Sequence, residues 1–142
     1  MADRFDLRVD EGDRDIEITG VTLASGSVAP GDLFAALPGE RTHGIRFAAD
    51  ARERGAVAVL TDSNAPGDAA GLPTIACADP RALLGELAAW VYANPADDLV
   101  MIGVTGTNGK TTTTYLLEGG LRSAGYRTGV IGTTGNRIGD ER

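Results

Sequence analysis

Gly103-Val104-Thr105-Gly106-Thr107-Asn108-Gly109-Lys110-Thr111-Thr112 brings three glycines, one lysine and a following pair of hydroxyls into a single short run. Residues of these types can hold phosphate. Glycines let the backbone approach phosphate oxygens closely, and successive N–H groups at a helix N-terminus form an anion-binding nest. Lys110 would reach the β- and γ-phosphates, and the Thr111 hydroxyl would ligate Mg²⁺. The general pattern G-x-x-x-x-G-K-[ST] requires glycine at position 104, where this chain has Val104. The spacing is instead Gly106-x-x-Gly109-Lys110-Thr111. It is not a dinucleotide G-x-G-x-x-G either, because Gly103, Gly106 and Gly109 are evenly spaced. ATP or GTP binding is the chemistry these residues suit.

Such a loop works only between a strand and a helix. The pattern predicts a strand over Leu99 to Val104, the loop over Thr105 to Gly109, a helix over Lys110 to Ala124 and a strand over Thr128 to Ile131. That is the opening of a βαβ unit, whose parallel strands belong in a sheet buried on both faces. Upstream, Ile16 to Leu23 reads as a strand, and Leu33 to Leu37 as a buried strand after the Pro30-Gly31-Asp32 turn. Ile45 to Arg54 reads as a short helix closed by Gly55. Ala56 to Leu60 and Pro73 to Ala76 read as strands. Asp79-Pro80 resembles an N-cap with proline at the first helical position. Leu83, Leu84, Leu87, Ala88 and Val91 then repeat at amphipathic helix spacing, ending near Asn94-Pro95.

The fold class is therefore α/β. A small mixed α/β domain occupies 1–97, and 98–142 reads as the truncated start of a P-loop ATPase with a parallel sheet. Roughly 45 residues are too few to build a sizeable core for that second part.

The whole chain has 142 residues and a net charge of −7, from 13 Lys and Arg against 20 Asp and Glu. Bulk charge thus argues against nucleic acid or an anionic membrane as a partner. No apolar run approaches the roughly 18 residues of a membrane span, and the charged N-terminus lacks a signal-peptide stretch. A cytoplasmic, monomeric protein is expected. One cysteine, Cys77, excludes an internal disulfide framework and reads as a small packed residue. Asp97-Asp98 reads as a solvated linker.

Gly106-Thr107-Asn108-Gly109-Lys110-Thr111-Thr112 resembles the ATP loop of the Mur ligases, which also lacks the early glycine. Pro30-Gly31-Asp32-Leu33-Phe34-Ala35-Ala36-Leu37-Pro38-Gly39 is similar to the P-G-D-L-F-x-A-L-x-G stretch of their N-terminal domain. Thr42-His43-Gly44 and Gly55-Ala56-Val57-Ala58-Val59-Leu60 continue in the same order. Gly132-Thr133-Thr134-Gly135 resembles the third-step members, which add a diamino acid, more than the fourth-step members. The likeness covers residues 16 to 139.

The resemblance implies a UDP-binding N-terminal domain, a central ATPase and a C-terminal amino-acid-binding domain. It implies ATP and Mg²⁺ as cofactors, with UDP-N-acetylmuramoyl-dipeptide and a diamino acid as partners. ATP would phosphorylate the D-Glu carboxylate, and the diamino acid's amine would displace the phosphate. Composition favours meso-diaminopimelate over lysine, by analogy with GC-rich bacteria alone. Gly106, Thr107, Asn108, Gly109, Lys110, Thr111 and Thr112 would hold ATP, with Lys110 and Thr111 catalytic and Thr111 on the metal. Thr133 and Thr134 would meet the muropeptide end of the substrate. Ser25, Thr42, His43 and Gly44 would meet its uridine end, although Ala24-Ser25-Gly26-Ser27 stands where the family has Asp-Ser-Arg. Other readings are a fourth-step or folate-polyglutamate-type ligase, or a free-standing nucleotide or UDP-sugar binding module.

Overall fold

The computed structural model describes residues 16–139, so the polar lead-in to Asp15 lies outside the described residues. The chain divides into two compact units, the division falling between Leu99 and Val100 in sequence. Among the described residues no helix is long and apolar enough to cross a membrane.

Unit 1 is built on a four-stranded parallel sheet in the order β1-β2-β3-β4: Gly20–Thr22, Asp32–Ala35, Ala58–Asp62 and Thr74–Cys77. The apolar run after Asp32 explains the layering. Side chains alternate across a strand. Leu33, Ala35 and Leu37 point into one buried cluster, with Ala58, Leu60, Ile75 and Leu87. Phe34 and Ala36 point into the other, with Ile45, Ala48, Ala51 and Val59. Helix α1 (Ala48–Glu53) covers the second face, and helix α2 (Pro80–Val91) covers the first through Leu83, Leu84 and Leu87. A parallel sheet covered on both faces is what continuous apolar strands require.

The helix starts follow their local chemistry. Asp79 Oδ1 accepts from the backbone N–H groups of Arg81 (3.1 Å) and Ala82 (3.0 Å), with Pro80 in the first turn. The expected helix from Ile45 begins instead as a 3-10 turn, Gly44–Phe47, before α1. The cause is His43, whose Nδ1 accepts from Ile45 N–H at 3.1 Å and caps the tighter turn. The strand expected over Ile16 to Leu23 contracts to β1, because its one neighbour, β2, pairs with only Gly20, Val21 and Thr22.

His43 also fixes the segment between β2 and the 3-10 turn. Since Nδ1 accepts, Nε2 carries the proton and donates to Asp62 Oδ2 at 2.6 Å. Gly44 lies against β2 so closely that a Cβ there would fall 2.9 Å from the Ala36 backbone, and its N–H donates to Leu37 O. The His43 bond holds the Asp62 carboxyl below its ordinary range, with the Asn64 N–H adding to the effect.

Unit 2 departs from the βαβ expectation. Helix α3 (Lys110–Ser123) forms, but Leu99 to Val104 forms no paired strand. Strand β5 (Gly129–Gly132) pairs antiparallel with β6 (Gly135–Ile138) in a hairpin. A strand exists only where a neighbour takes its hydrogen bonds, and none lies beside Leu99 to Val104 among the described residues. The apolar side chains meant for a two-sided sheet stay in solvent: Val100 is 91% exposed and Ile131 85%. A polar pair links its helix to the hairpin. Glu118 of α3 is buried and ion-paired with Arg137 of β6, whose guanidinium also sits 5.2 Å from the centre of the Tyr115 ring.

Two outcomes test this account. Leu87→Ala should cost about 2–5 kcal/mol, because it empties the fully buried contact between α2 and the sheet. It would be read as a lower urea midpoint at unchanged slope. His43→Ala should cost roughly 1–2 kcal/mol, with His43→Asn recovering part by keeping an acceptor for Ile45 N–H. Asp62's folded pKa is lowered, so its bond contributes above the unfolded value of about 4 and is lost as pH falls through the folded one. The stability gap between wild type and His43→Ala should therefore narrow in acid; a constant gap would show that the Asp62 bond adds nothing.

Candidate functional site

Ligands of parallel α/β sheets bind beyond the carboxyl ends of the strands. Unit 1 has an open cavity of about 350 Å³ there. Leu23 to Gly26, following β1, form one wall, and Leu37, Pro38 and Gly39, following β2, form another. The loop that His43 holds in place contributes Thr42 and Gly44, and the first turn of α2 contributes Arg81. Phe34 and Phe47 add aromatic surface, and Phe47 is 46% exposed.

The cavity gathers three of the four residues expected at the uridine end: Ser25, Thr42 and Gly44. The Ser25 hydroxyl bonds the Asp50 carboxylate of α1, which with Arg54 (3.1 Å) holds that carboxyl below its ordinary range. With its proton on Asp50, Ser25 offers its oxygen as an acceptor. Thr42 Oγ1 is buried without a hydrogen-bond partner, and such a group ordinarily has one. His43 is not among the wall residues, and both its ring nitrogens are committed, one to Ile45 N–H and one to Asp62. Arg81 does line the wall, and its Nη2 donates to Pro38 O at 2.8 Å. Sequence reading gave no sign of it: the contact spans 43 positions and Arg81 belongs to no motif.

In unit 2 the loop from Gly106 to Gly109 leads directly into α3. Gly106 (φ +146°) and Gly109 (φ +76°) adopt backbone conformations that side-chain-bearing residues rarely take. Gly109 is the N-cap and no side chain caps the helix, so the N–H groups of the first turn point out of the loop. Lys110 turns back onto the loop, its Nζ donating to Gly106 O at 2.5 Å. Thr107, Asn108, Thr111 and Thr112 are exposed around it. Donors and one ammonium group face the same side, an arrangement suited to phosphate oxygens. Thr133 and Thr134 form the turn of the β5–β6 hairpin, and the Thr134 hydroxyl lies 3.2 Å from the Tyr115 hydroxyl. The Glu118–Arg137 pair behind it was not legible in sequence, where a glutamate on an exposed-looking helix reads as solvated.

Comparison with known proteins identifies the family. The family described as "Mur ligase family, catalytic domain" matches residues 17–92, and "Mur ligase middle domain" matches 104–142. The UDP-N-acetylmuramoyl-L-alanyl-D-glutamate–2,6-diaminopimelate ligase of Streptomyces avermitilis is 57% identical over 132 residues, covering 92% of this chain and 26% of that protein. A solved structure of a ligase with the same name superimposes with a TM-score of 0.60 at 31% identity, covering 85% of this chain and 25% of that one. MurF ligase from Thermotoga maritima, solved in complex with ADP, gives 0.56 at 26% identity, covering 81% and 25%. The chain spans about a quarter of the length of the relatives it matches. With one family model covering more than half of its residues, the chain belongs to the Mur ligase family.

Proposed function

We propose that this chain is the N-terminal portion of an ATP-dependent ligase that adds a diamino acid, meso-diaminopimelate, to UDP-N-acetylmuramoyl-L-Ala-D-Glu in peptidoglycan synthesis. In this reading residues 1–97 bind the UDP-linked muropeptide and 98–142 begin the ATP-binding domain. The observation that carries it is the uncapped N-terminus of α3 behind two left-handed glycines, with Lys110 poised over the loop. The choice among Mur ligase reactions rests on the relatives, several of which are named diaminopimelate ligases.

The residues fit the groups this reaction needs. Gly106 to Thr112 would wrap the phosphates with backbone N–H groups, and Lys110 would leave Gly106 O for a β- or γ-phosphate oxygen. A Mg²⁺ ion would take the Thr111 hydroxyl as one of its ligands, alongside oxygens of the phosphates. ATP supplies the phosphoryl group that makes the D-Glu carboxylate a good acyl donor. Lys110 and the loop amides offset the negative charge that this transfer concentrates. In unit 1 the apolar and aromatic wall would take the uracil ring, Thr42 Oγ1 would gain its missing partner, and Ser25 would accept from a ligand N–H or O–H. His43 acts as a positioning residue, holding Thr42 and Gly44 at the wall through Asp62. Thr133 and Thr134 would meet the muropeptide end. A nucleotide-linked substrate and ATP set this reaction in the cytoplasm.

Lys110→Ala should weaken binding of a non-hydrolysable ATP analogue with Mg²⁺ by roughly ten- to a hundredfold, the worth of one charge-assisted hydrogen bond. Unchanged affinity in titration calorimetry would remove the loop from the ATP site. The 142-residue chain by itself should show no ligase turnover, because the amino-acid-binding domain of the proposed enzyme would lie outside it. Amide formation from purified chain, UDP-linked dipeptide, diaminopimelate and ATP, detected by mass spectrometry, would refute this.

A further inference from the structure

We propose that Arg81 is the residue through which the unit 1 cavity recognises the negative charge of a nucleoside diphosphate. The inference rests on the reading of that cavity as the UDP end of the site, and adds the group that distinguishes the diphosphate from the bare nucleoside.

Three observations carry it. First, the wall is otherwise neutral. It consists of apolar and aromatic residues, glycines, Ser25 and Thr42, and no Asp or Glu lines it. Arg81 is the one charged residue in the lining. A chain of net charge −7 repels anions at long range, so an anionic ligand needs a local cation, and the cavity has one.

Second, Arg81 is held in place. Its backbone N–H is fixed by the Asp79 cap, and Nη2 is anchored on Pro38 O at 2.8 Å. That carboxylate is engaged with the backbone N–H groups of Arg81 and Ala82. A guanidinium has five N–H donors in a rigid fork, and the Pro38 carbonyl takes one direction of it. The remaining donors suit the paired oxygens of a diphosphate, which a planar fork can bridge.

Third, Thr42, a residue of this wall, has a hydroxyl that is buried without a hydrogen-bond partner, a polar group left unsatisfied beside the cavity. Beside the half-exposed Phe47 ring, these parts match a flat base, a hydroxylated sugar and a charged tail. The competing role for Arg81 is a staple that joins α2 to the Pro38 loop and nothing more.

The test compares UDP with uridine, titrated into the 142-residue chain and into Arg81→Gln. Glutamine keeps a donor for Pro38 O and loses the charge. Wild type should bind UDP more tightly than uridine, with a preference that shrinks as salt rises. Arg81→Gln should lose on the order of tenfold in UDP affinity while uridine affinity stays within about twofold. Equal losses for both ligands, or no change in either, would make Arg81 a staple and overturn the proposal while leaving the cavity reading intact. Failure of wild type to bind either ligand would overturn the cavity reading itself. Should Arg81→Gln fail to fold, judged by thermal unfolding, the wild-type salt series decides: UDP affinity must fall with salt while uridine affinity does not, and parallel behaviour refutes the proposal.

Discussion

The burial of β2 on both sides is the constraint on which unit 1 depends. Leu33 and Phe34 are adjacent in sequence, fully buried, and belong to opposite faces of the sheet. Each such side chain contributes about 1.5–3 kcal/mol when taken out of water, but only if a layer covers its face. The strand therefore requires α1 on one side and α2 on the other. Those two helices in turn deliver what surrounds the cavity: the 3-10 turn that leads into α1 brings Gly44, and the first turn of α2 brings Arg81. The site is a consequence of how the strand is covered.

Between β2 and α1 the chain must leave the sheet, make a tight loop and re-enter a helix within a few residues. Two polar contacts and one missing side chain make this possible. His43 caps the 3-10 turn with one nitrogen and holds Asp62 with the other, so a single ring ties the loop to the end of β3. Gly44 lets the backbone rest on Ala36 where no Cβ would fit. The result places Thr42 at the cavity wall with its hydroxyl unsatisfied, a local cost that a ligand hydrogen bond would offset.

Unit 2 shows the opposite balance. Its loop takes shape from a local signal, because positive-φ glycines need no distant partner. Most of its apolar residues do not find cover, among them Leu116 at 73% exposure as well as Val100 and Ile131, whereas Val130 is buried. The buried Glu118–Arg137 pair joins α3 to the hairpin. A buried ion pair is weak evidence of net stability, since desolvation offsets its attraction.

Much of the design is local and was legible in the residues. The glycine-rich loop before α3, the Asp79-Pro80 helix start, the doubly buried strand after Asp32 and the P-G-D-L-F stretch that carries the family likeness all rest on chemistry within a few positions. Where partners are distant the sequence was silent. It could not show that Leu99 to Val104 would lie unpaired, because a strand is a property of two segments. Nor could it show that His43 would turn to Asp62, that Thr42 would be left without a partner, or that Arg81 would reach Pro38. Local backbone preference and hydrophobic period are written in the order of residues; hydrogen-bond partners far apart in the chain are chosen only when the sheet and its two covering layers close.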